Sequence, residues 1–335
     1  MAGLPNFDDL PAVPNMPQGC AWGIFDKDGK KDNLGCLNKL TPSIAASAAT
    51  EVRDGISVSL DWPLDALKIN GSFRRAVEHK HVNLKEKVGM IGLDDELEFN
   101  TQGSSQWDGL IHFAHQPTGL FYNGFKPTPE SLAASSTSET GEDWPCMSTW
   151  KKRGGLVGRG VLLDYRAYAE TKGIEFSPFT GQGITIEELE AVAKFQGTEF
   201  KEGDILLVRT GFTEDLEGKS ADEQMAKLGA GAMSGVLGHV DTARWVWNHH
   251  FSAVASDNIA FEHLPARGAD WKPDENAVLH TYFLSLFGLN IGELWDLKEL
   301  SRVCREKNRY SFLLTSAPLN ISSLVGSPPN ALAIF

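Results

Sequence analysis

Gly158-Arg159-Gly160-Val161-Leu162-Leu163-Asp164 and Gly203-Asp204-Ile205-Leu206-Leu207-Val208-Arg209-Thr210-Gly211 each carry a near-continuous aliphatic run between glycines and charged ends. Neither run alternates, so neither reads as a strand with one wet face. Both predict strands buried on two faces. Ala253-Val254-Ala255, which leads through Ser256 into Asp257, reads the same way, whereas Ile56-Ser57-Val58-Ser59-Leu60 alternates and predicts a half-buried strand. Between these lie helical stretches. Residues 185–197 open on Thr185-Ile186-Glu187-Glu188, a reciprocal capping signature, and 241–250 keep helical period. Upstream, Thr41 followed by Pro42 starts a helix expected over 41–54. Strands interleaved with helices of this length predict a mixed α/β fold.

The rest of the chain narrows the class. With 335 residues, 41% hydrophobic and 22% charged, it has the profile of a soluble globular protein. Basic residues number 31 and acidic residues 44, a net charge of -13 that disfavours nucleic acid and anionic membranes as partners. Cys20, Cys36, Cys146 and Cys304 are scattered, match no zinc spacing and are too few for a disulfide scaffold. The start, Met1-Ala2-Gly3-Leu4-Pro5-Asn6, lacks a basic-then-apolar leader, and no apolar run approaches the roughly 20 residues that cross a bilayer. A reducing, cytoplasmic location is expected. Residues 1–20, dense in Pro and Asn, predict an extended arm, and 21–335 a single domain, with the apolar 331–335 packing rather than anchoring. The Ser/Thr-rich 128–144 reads as a surface loop. No phosphate-cradling glycine motif and no G-x-S-x-G elbow occurs.

Two polar constellations can carry chemistry. In Gln102-Gly103-Ser104-Ser105-Gln106-Trp107-Asp108-Gly109-Leu110-Ile111-His112, alternation would set Gln102, Ser104, Gln106 and Asp108 on one face of an extended segment. If the chain turns at Gly109, Asp108 and His112 converge, a carboxylate beside an imidazole that can move a proton near neutral pH. An inert polar strand end would look the same. In the second, His280 and Glu293 bound a largely apolar run; buried, each needs a partner or a metal, or else each caps a helix. His79-Lys80-His81 could pair on a strand face, although its charged neighbours favour a solvated edge. His249-His250 suits a helix end, and Arg159 and Arg209 suit structural ion pairs.

The two Gly-bounded strands, followed in order by His280 through Glu293, resemble the metal-dependent cyclase family, which includes bacterial kynurenine formamidase and isatin hydrolase. Gly19-Cys20-Ala21-Trp22-Gly23 and Asp32-Asn33-Leu34-Gly35 resemble its longer branch, associated with fungi and some bacteria. The resemblance implies a mixed α/β fold with an open barrel-like β core and flanking helices, in a homodimer or homotetramer. The family signature H-x-G-T-H-x-D-x-P-x-H falls on Gln102 through His112, keeping Asp108 and His112 but placing Gln102 and Gln106 where the family has histidines. Amide oxygens are harder and weaker ligands than imidazole, which disfavours two ions and shifts preference from zinc toward manganese or magnesium.

The resemblance thus implies one divalent ion, Mn²⁺ or Zn²⁺, held by Asp108, His280, Gln106 and Glu293, with His112 and Asp108 catalytic. The expected function is metal-assisted hydrolysis of an amide or lactone in a small cyclic or aromatic molecule. Gln102, Trp107, Phe121 and Tyr122, with Phe113 nearby, are expected to line its pocket. Two alternatives stand beside it: a metal-free lyase or cyclase using the Asp108/His112 pair, and a catalytically dead oligomeric binding protein.

Overall fold

A computed structural model of the chain describes residues 3–68, 74–137, 143–266 and 278–335. Its strands, in chain order, are β1 (Ser57–Ser59), β2 (Glu78–Asn83), β3 (Leu93–Glu98), β4 (Gln106–Asp108), β5 (Leu156–Asp164), β6 (Gly183–Ile184) and β7 (Ile205–Arg209). They continue with β8 (Gly235–Val236), β9 (Ala253–Ser256), β10 (Asn290–Glu293), β11 (Ser311–Ser316), β12 (Gly326–Ser327) and β13 (Ala331–Ile334). Among the described residues, nine strands form one sheet in the order β1-β13-β11-β5-β7-β9-β10-β4-β12. The central four, β5, β7, β9 and β10, run parallel, and the outer pairings are antiparallel. The sheet curls into a half-barrel flanked by helices.

Both faces of the centre are dry, as the unbroken aliphatic runs require. Val161, Leu163, Leu206, Val208 and Val254 enter one core, while Leu162, Ile205, Leu207, Ala253 and Ala255 enter the other. The glycines of the first motif give close approach. A Cβ on Gly160 would lie 2.3 Å from the Phe312 ring, and one on Gly158 2.8 Å from Leu40. The charged ends tie strands together. Arg209 binds Asp164 at 2.7 Å and Glu214 at 2.5 Å, and Arg159 binds Glu51 at 3.0 Å and Asp204 at 2.7 Å. The buried Asp257 carboxylate accepts from Thr210 N (2.7 Å), Thr210 Oγ1 (2.8 Å) and Gly211 N (2.6 Å), fixing the turn after β7. Both arginines are therefore structural.

Helix 186–196 forms as expected, with Thr185 and Glu188 capping each other's backbone, and 240–248 replaces the expected 241–250. The first helix is shorter than its sequence suggests. Thr41 caps Pro42–Ala48, but a tighter turn, Ala49–Glu51, ends it so that Glu51 meets Arg159 and the Asp54 and Gly55 amides reach the Phe335 carbonyl. Part of the expected loop is also helical. Pro129–Thr137 forms a helix, with Thr128 and Ser131 exchanging hydrogen bonds at its start, while 138–142 lie outside the described residues. The chain's end forms β13 and buries Phe335. At the other end, Phe7 is buried against Phe287, and Trp247 Nε1 donates to the Pro5 carbonyl at 2.9 Å. All four cysteines are free and buried. No helix among the described residues is long and apolar enough to cross a membrane.

Because Phe312 occupies the space over Gly160, a Gly160→Ala variant should lose about 1–3 kcal/mol of stability through overpacking. A urea midpoint unchanged from wild type would contradict this account of the motif.

Candidate functional site

The site is built by the pairing of β4 with β10, in which Gln106 lies opposite Glu293 and Asp108 opposite Ile291. Directly opposed residues share a face, so Gln106, Asp108 and Glu293 point one way while Trp107 and Gly292 point the other. His280 precedes a short, largely buried π-helix, Thr281–Phe287, a rare geometry frequent at functional positions. Its Nε2 stands 3.0 Å from Glu293 Oε1 and 3.6 Å from Asp108 Oδ2. Its Nδ1 lies 2.8 and 2.9 Å from the two oxygens of the buried Glu262.

The chain does turn at Gly109. His112 N donates to the Gly109 carbonyl at 2.9 Å, and a Cβ on Gly109 would lie 2.3 Å from the Val325 carbonyl oxygen. The turn sets His112 Nε2 3.9 Å from Asp108 Oδ1. Gln102 Nε2 donates to that oxygen at 2.6 Å and lies 3.0 Å from His112 Nδ1. Gly326 leaves room for it, since a Cβ there would come within 2.8 Å of Gln102 Nε2. Gln106 Nε2 donates to Glu293 Oε2 at 2.5 Å.

Burial works against every charge here, and the neighbours decide the outcome. Burial raises the Asp108 carboxyl, but His112, His280 and the Gln102 amide outweigh it and hold the group below its ordinary value. For Glu293, burial and the adjacent Asp108 charge dominate and push the carboxyl up to about 7. Burial disfavours a charged His280, yet Glu262, Asp108 and Glu293 together raise it well above an ordinary imidazole. Burial lowers His112; the Asp108 charge opposes this only in part, and His280 and Arg74 add to the lowering, so its neutral form is favoured.

The donor set fits a cation. Four buried oxygens of this one cluster, Gln102 Oε1, Gln106 Oε1, Asp108 Oδ2 and Glu293 Oε1, accept no hydrogen bond. Buried acceptors left so are costly. One ligand atom each from Asp108, His280 and Glu293 lies within 4.8 Å of the others, near the spacing of atoms bound about 2.0–2.2 Å from a shared ion. Glu262 on Nδ1 also supplies the carboxylate that orients a ligating imidazole and leaves Nε2 as the ligand. Two carboxylates, one imidazole and nearby amide oxygens make an oxygen-rich site that suits a hard ion such as Mn²⁺ or Mg²⁺.

Of the residues expected from sequence, Gln102, Gln106, Asp108, His112, His280 and Glu293 come together. The expected face does not. Only residues 106–108 are strand; Gln102 arrives by a turn, and Ser104 turns away to the Pro63 carbonyl at 2.9 Å. Glu293 lies on a strand and caps no helix. The aromatic wall needs larger correction. Trp107 packs against Trp150 and Trp295 in the opposite core, because strand alternation sends it away from Asp108. Tyr122 is fully buried with its hydroxyl on Asp32 at 3.0 Å, and Phe121 packs beside Ile111 and Trp144. Phe113 is the aromatic side chain at the site, its ring 5.6 Å from that of His280. Glu262 was not anticipated. Its signal was an acid inside the otherwise apolar Ile259-Ala260-Phe261-Glu262, which burial obliges to find a partner.

Comparison with known proteins bears on this arrangement. A family model described as putative cyclase matches residues 37–263. A solved structure described as a novel cyclase superposes with a TM-score of 0.78 at 28% identity, covering 94% of this chain and 99% of its own. Isatin hydrolase A from Ralstonia solanacearum gives a TM-score of 0.54 at 15% identity over 87% of this chain and 95% of its own. Isatin hydrolase A from Labrenzia aggregata, bound to benzyl benzoate, gives 0.53 at 16% over 89% and 98%. At those identities the isatin hydrolases share the fold. No curated protein sequence matches significantly.

Kept free of metal, folded Glu293 holds its proton up to about pH 7, whereas an unfolded glutamate releases it near 4.5. The folded state therefore loses stability from this group as pH rises from about 4.5 to about 7. Glu293→Gln removes that loss. In chelator, the melting temperature of the variant relative to wild type should rise between about pH 5 and pH 7.5, and a difference constant with pH would contradict the assignment.

Proposed function

The chain belongs to the cyclase family, and from that premise we propose that it is a metal-assisted hydrolase opening an amide or lactone bond in a small cyclic or aromatic molecule. The observation that carries this reading is the convergence of buried, undonated oxygens on His280 Nε2. Asp108, His280 and Glu293, with Gln106 alongside, would hold one divalent ion, which when bound polarises a carbonyl and lowers the pKa of water.

The chain's own residues supply the rest. His112 is the more open of the cluster's two imidazoles, its side chain 24% exposed against 12% for His280, and its neutral ring is suited to proton traffic. Gln102, held by Asp108, donates its other N–H to His112 Nδ1, so the resting ring carries its hydrogen on Nε2. When Gln102 yields Nδ1, the ring takes the proton of the attacking water there and delivers the Nε2 hydrogen to the leaving nitrogen or oxygen. Asp108 stabilises the charged ring between those two events. Glu262 fixes His280 through Nδ1 and takes no part in proton transfer.

A cavity of about 310 Å³ has Arg74 and Gly103 in its lining; Gly103 follows Gln102 in the chain, and Arg74 Nη1 donates to the Gln102 carbonyl at 2.8 Å. Its walls are mainly Leu64, Leu67, Val77, Met233, Ile259 and Leu264. An apolar pocket of this size suits a one- or two-ring molecule whose carbonyl faces the polar edge. The isatin hydrolase relatives make isatin a reasonable first probe beside an aryl lactone.

Metal analysis with kinetics tests the reading. Purified wild type should carry about one Mn²⁺ per chain at the buried site and turn over at least one probe. Asp108→Ala should lose both ion and activity. His112→Asn should keep the ion while kcat falls about 10²–10⁴-fold. If Mn²⁺-loaded protein opens neither probe, the hydrolase reading fails. If activity survives exhaustive chelation and still needs Asp108 and His112, the metal-free acid–base lyase takes its place.

A further inference from the structure

Far from the buried cluster in chemical character, His79, His81 and Asp95 meet on one face of the two-stranded ribbon β2–β3. Register puts His81 directly opposite Asp95, and His79, two residues earlier, on the same face. His79 Nε2 lies 2.6 Å from Asp95 Oδ1, His81 Nε2 lies 3.8 Å from the same oxygen, and the two imidazole centroids are 4.3 Å apart. One ligand atom from each residue lies within 4.8 Å of the other two. All three side chains are exposed.

We propose that this trio is a second, solvent-facing metal site, selective for borderline divalent ions such as Zn²⁺, Ni²⁺ or Cu²⁺. Two imidazoles and one carboxylate form a nitrogen-rich set, the reverse of the oxygen-rich buried cluster, so the two sites sort ions by softness. Three protein ligands leave at least one position for water. The ion pairs Lys80–Glu96 (3.0 Å) and Arg75–Glu78 (3.1 Å) involve side chains of the opposite face. They leave the histidine face to the ion.

The ligands come from both strands, which gives the site a consequence. A two-stranded ribbon is only marginally stable in water, and an ion bound across it stabilises the paired state by mass action. The same ribbon carries Met90 and Ile91, exposed by 61% and 94%, on the connection between its strands, and Leu93, exposed by 72%, at the start of β3. Ion binding would therefore set how firmly an apolar tip is presented.

The test is Zn²⁺ titration of the full-length protein by calorimetry, together with hydrogen exchange of residues 78–98. Wild type and Asp108→Ala should both bind Zn²⁺ at the ribbon and slow its exchange. His79→Ala and His81→Ala should weaken that binding at least tenfold and abolish the slowing. Their exposure keeps folding out of the comparison, and circular dichroism verifies it. Equal Zn²⁺ affinity and stoichiometry in wild type and His81→Ala would overturn the proposal, as would loss of all Zn²⁺ binding in Asp108→Ala. Neither result depends on whether the buried cluster is catalytic.

Discussion

Three buried carboxylates gathered around one imidazole set the terms for everything near β4 and β10. Asp108 and Glu293 face the same side of adjacent strands, and Glu262 closes on the far nitrogen of His280. Left to themselves, like charges at this depth would repel and would pay the full penalty of burial. The fold answers in three ways. His280 stands between the acids, Gln102 and Gln106 each give an N–H to a carboxylate, and Glu293 is pushed toward its neutral form. A divalent ion answers the same demand more completely, because it also satisfies the oxygens that no donor reaches.

The supporting structure is arranged to keep this strain in place. Trp107, between Gln106 and Asp108, anchors β4 from behind, with its indole on Ser316 at 2.9 Å and its ring against Trp150 and Trp295. Asn290 donates to the Asp108 carbonyl at 2.9 Å, and Trp295 Nε1 to that of Gln106 at 3.1 Å. Gly35 and Gly288, both at positive φ, touch where the π-helical turn ends, and Cys36 N donates to the Gly288 carbonyl at 2.7 Å. A Cβ on Gly35 would sit 2.0 Å from that oxygen, so the N-terminal region and the segment carrying His280 are locked by a contact only glycine permits.

What could be read in the sequence follows from how local its causes are. The aliphatic strands β5, β7 and β9 were legible because burial on both faces leaves an unbroken apolar run, and the Thr185/Glu188 cap because its partners are three residues apart. Asp108 with His112 was legible because Gly109 announces the turn. The stop after Ala48 was not, since its cause is a salt bridge from Glu51 to the distant Arg159. Trp107 and Tyr122 were misassigned because an aromatic ring near polar residues in sequence can face either way, and only strand pairing decides. Glu262 shows the same limit: its partner lies across the fold, and only the need to pair a buried acid pointed to it. The short helix Pro129–Thr137 differs, for Thr128, Pro129 and Ser131 form a start signal that composition concealed.

The account stands on one ion lying among Asp108, His280 and Glu293. Anomalous diffraction from crystals grown with Mn²⁺ tests that most directly. The account predicts a single strong peak within about 2.0–2.3 Å of one atom from each of the three residues, with Glu262 still on Nδ1 of His280. A cluster without an anomalous peak at saturating Mn²⁺ would contradict it.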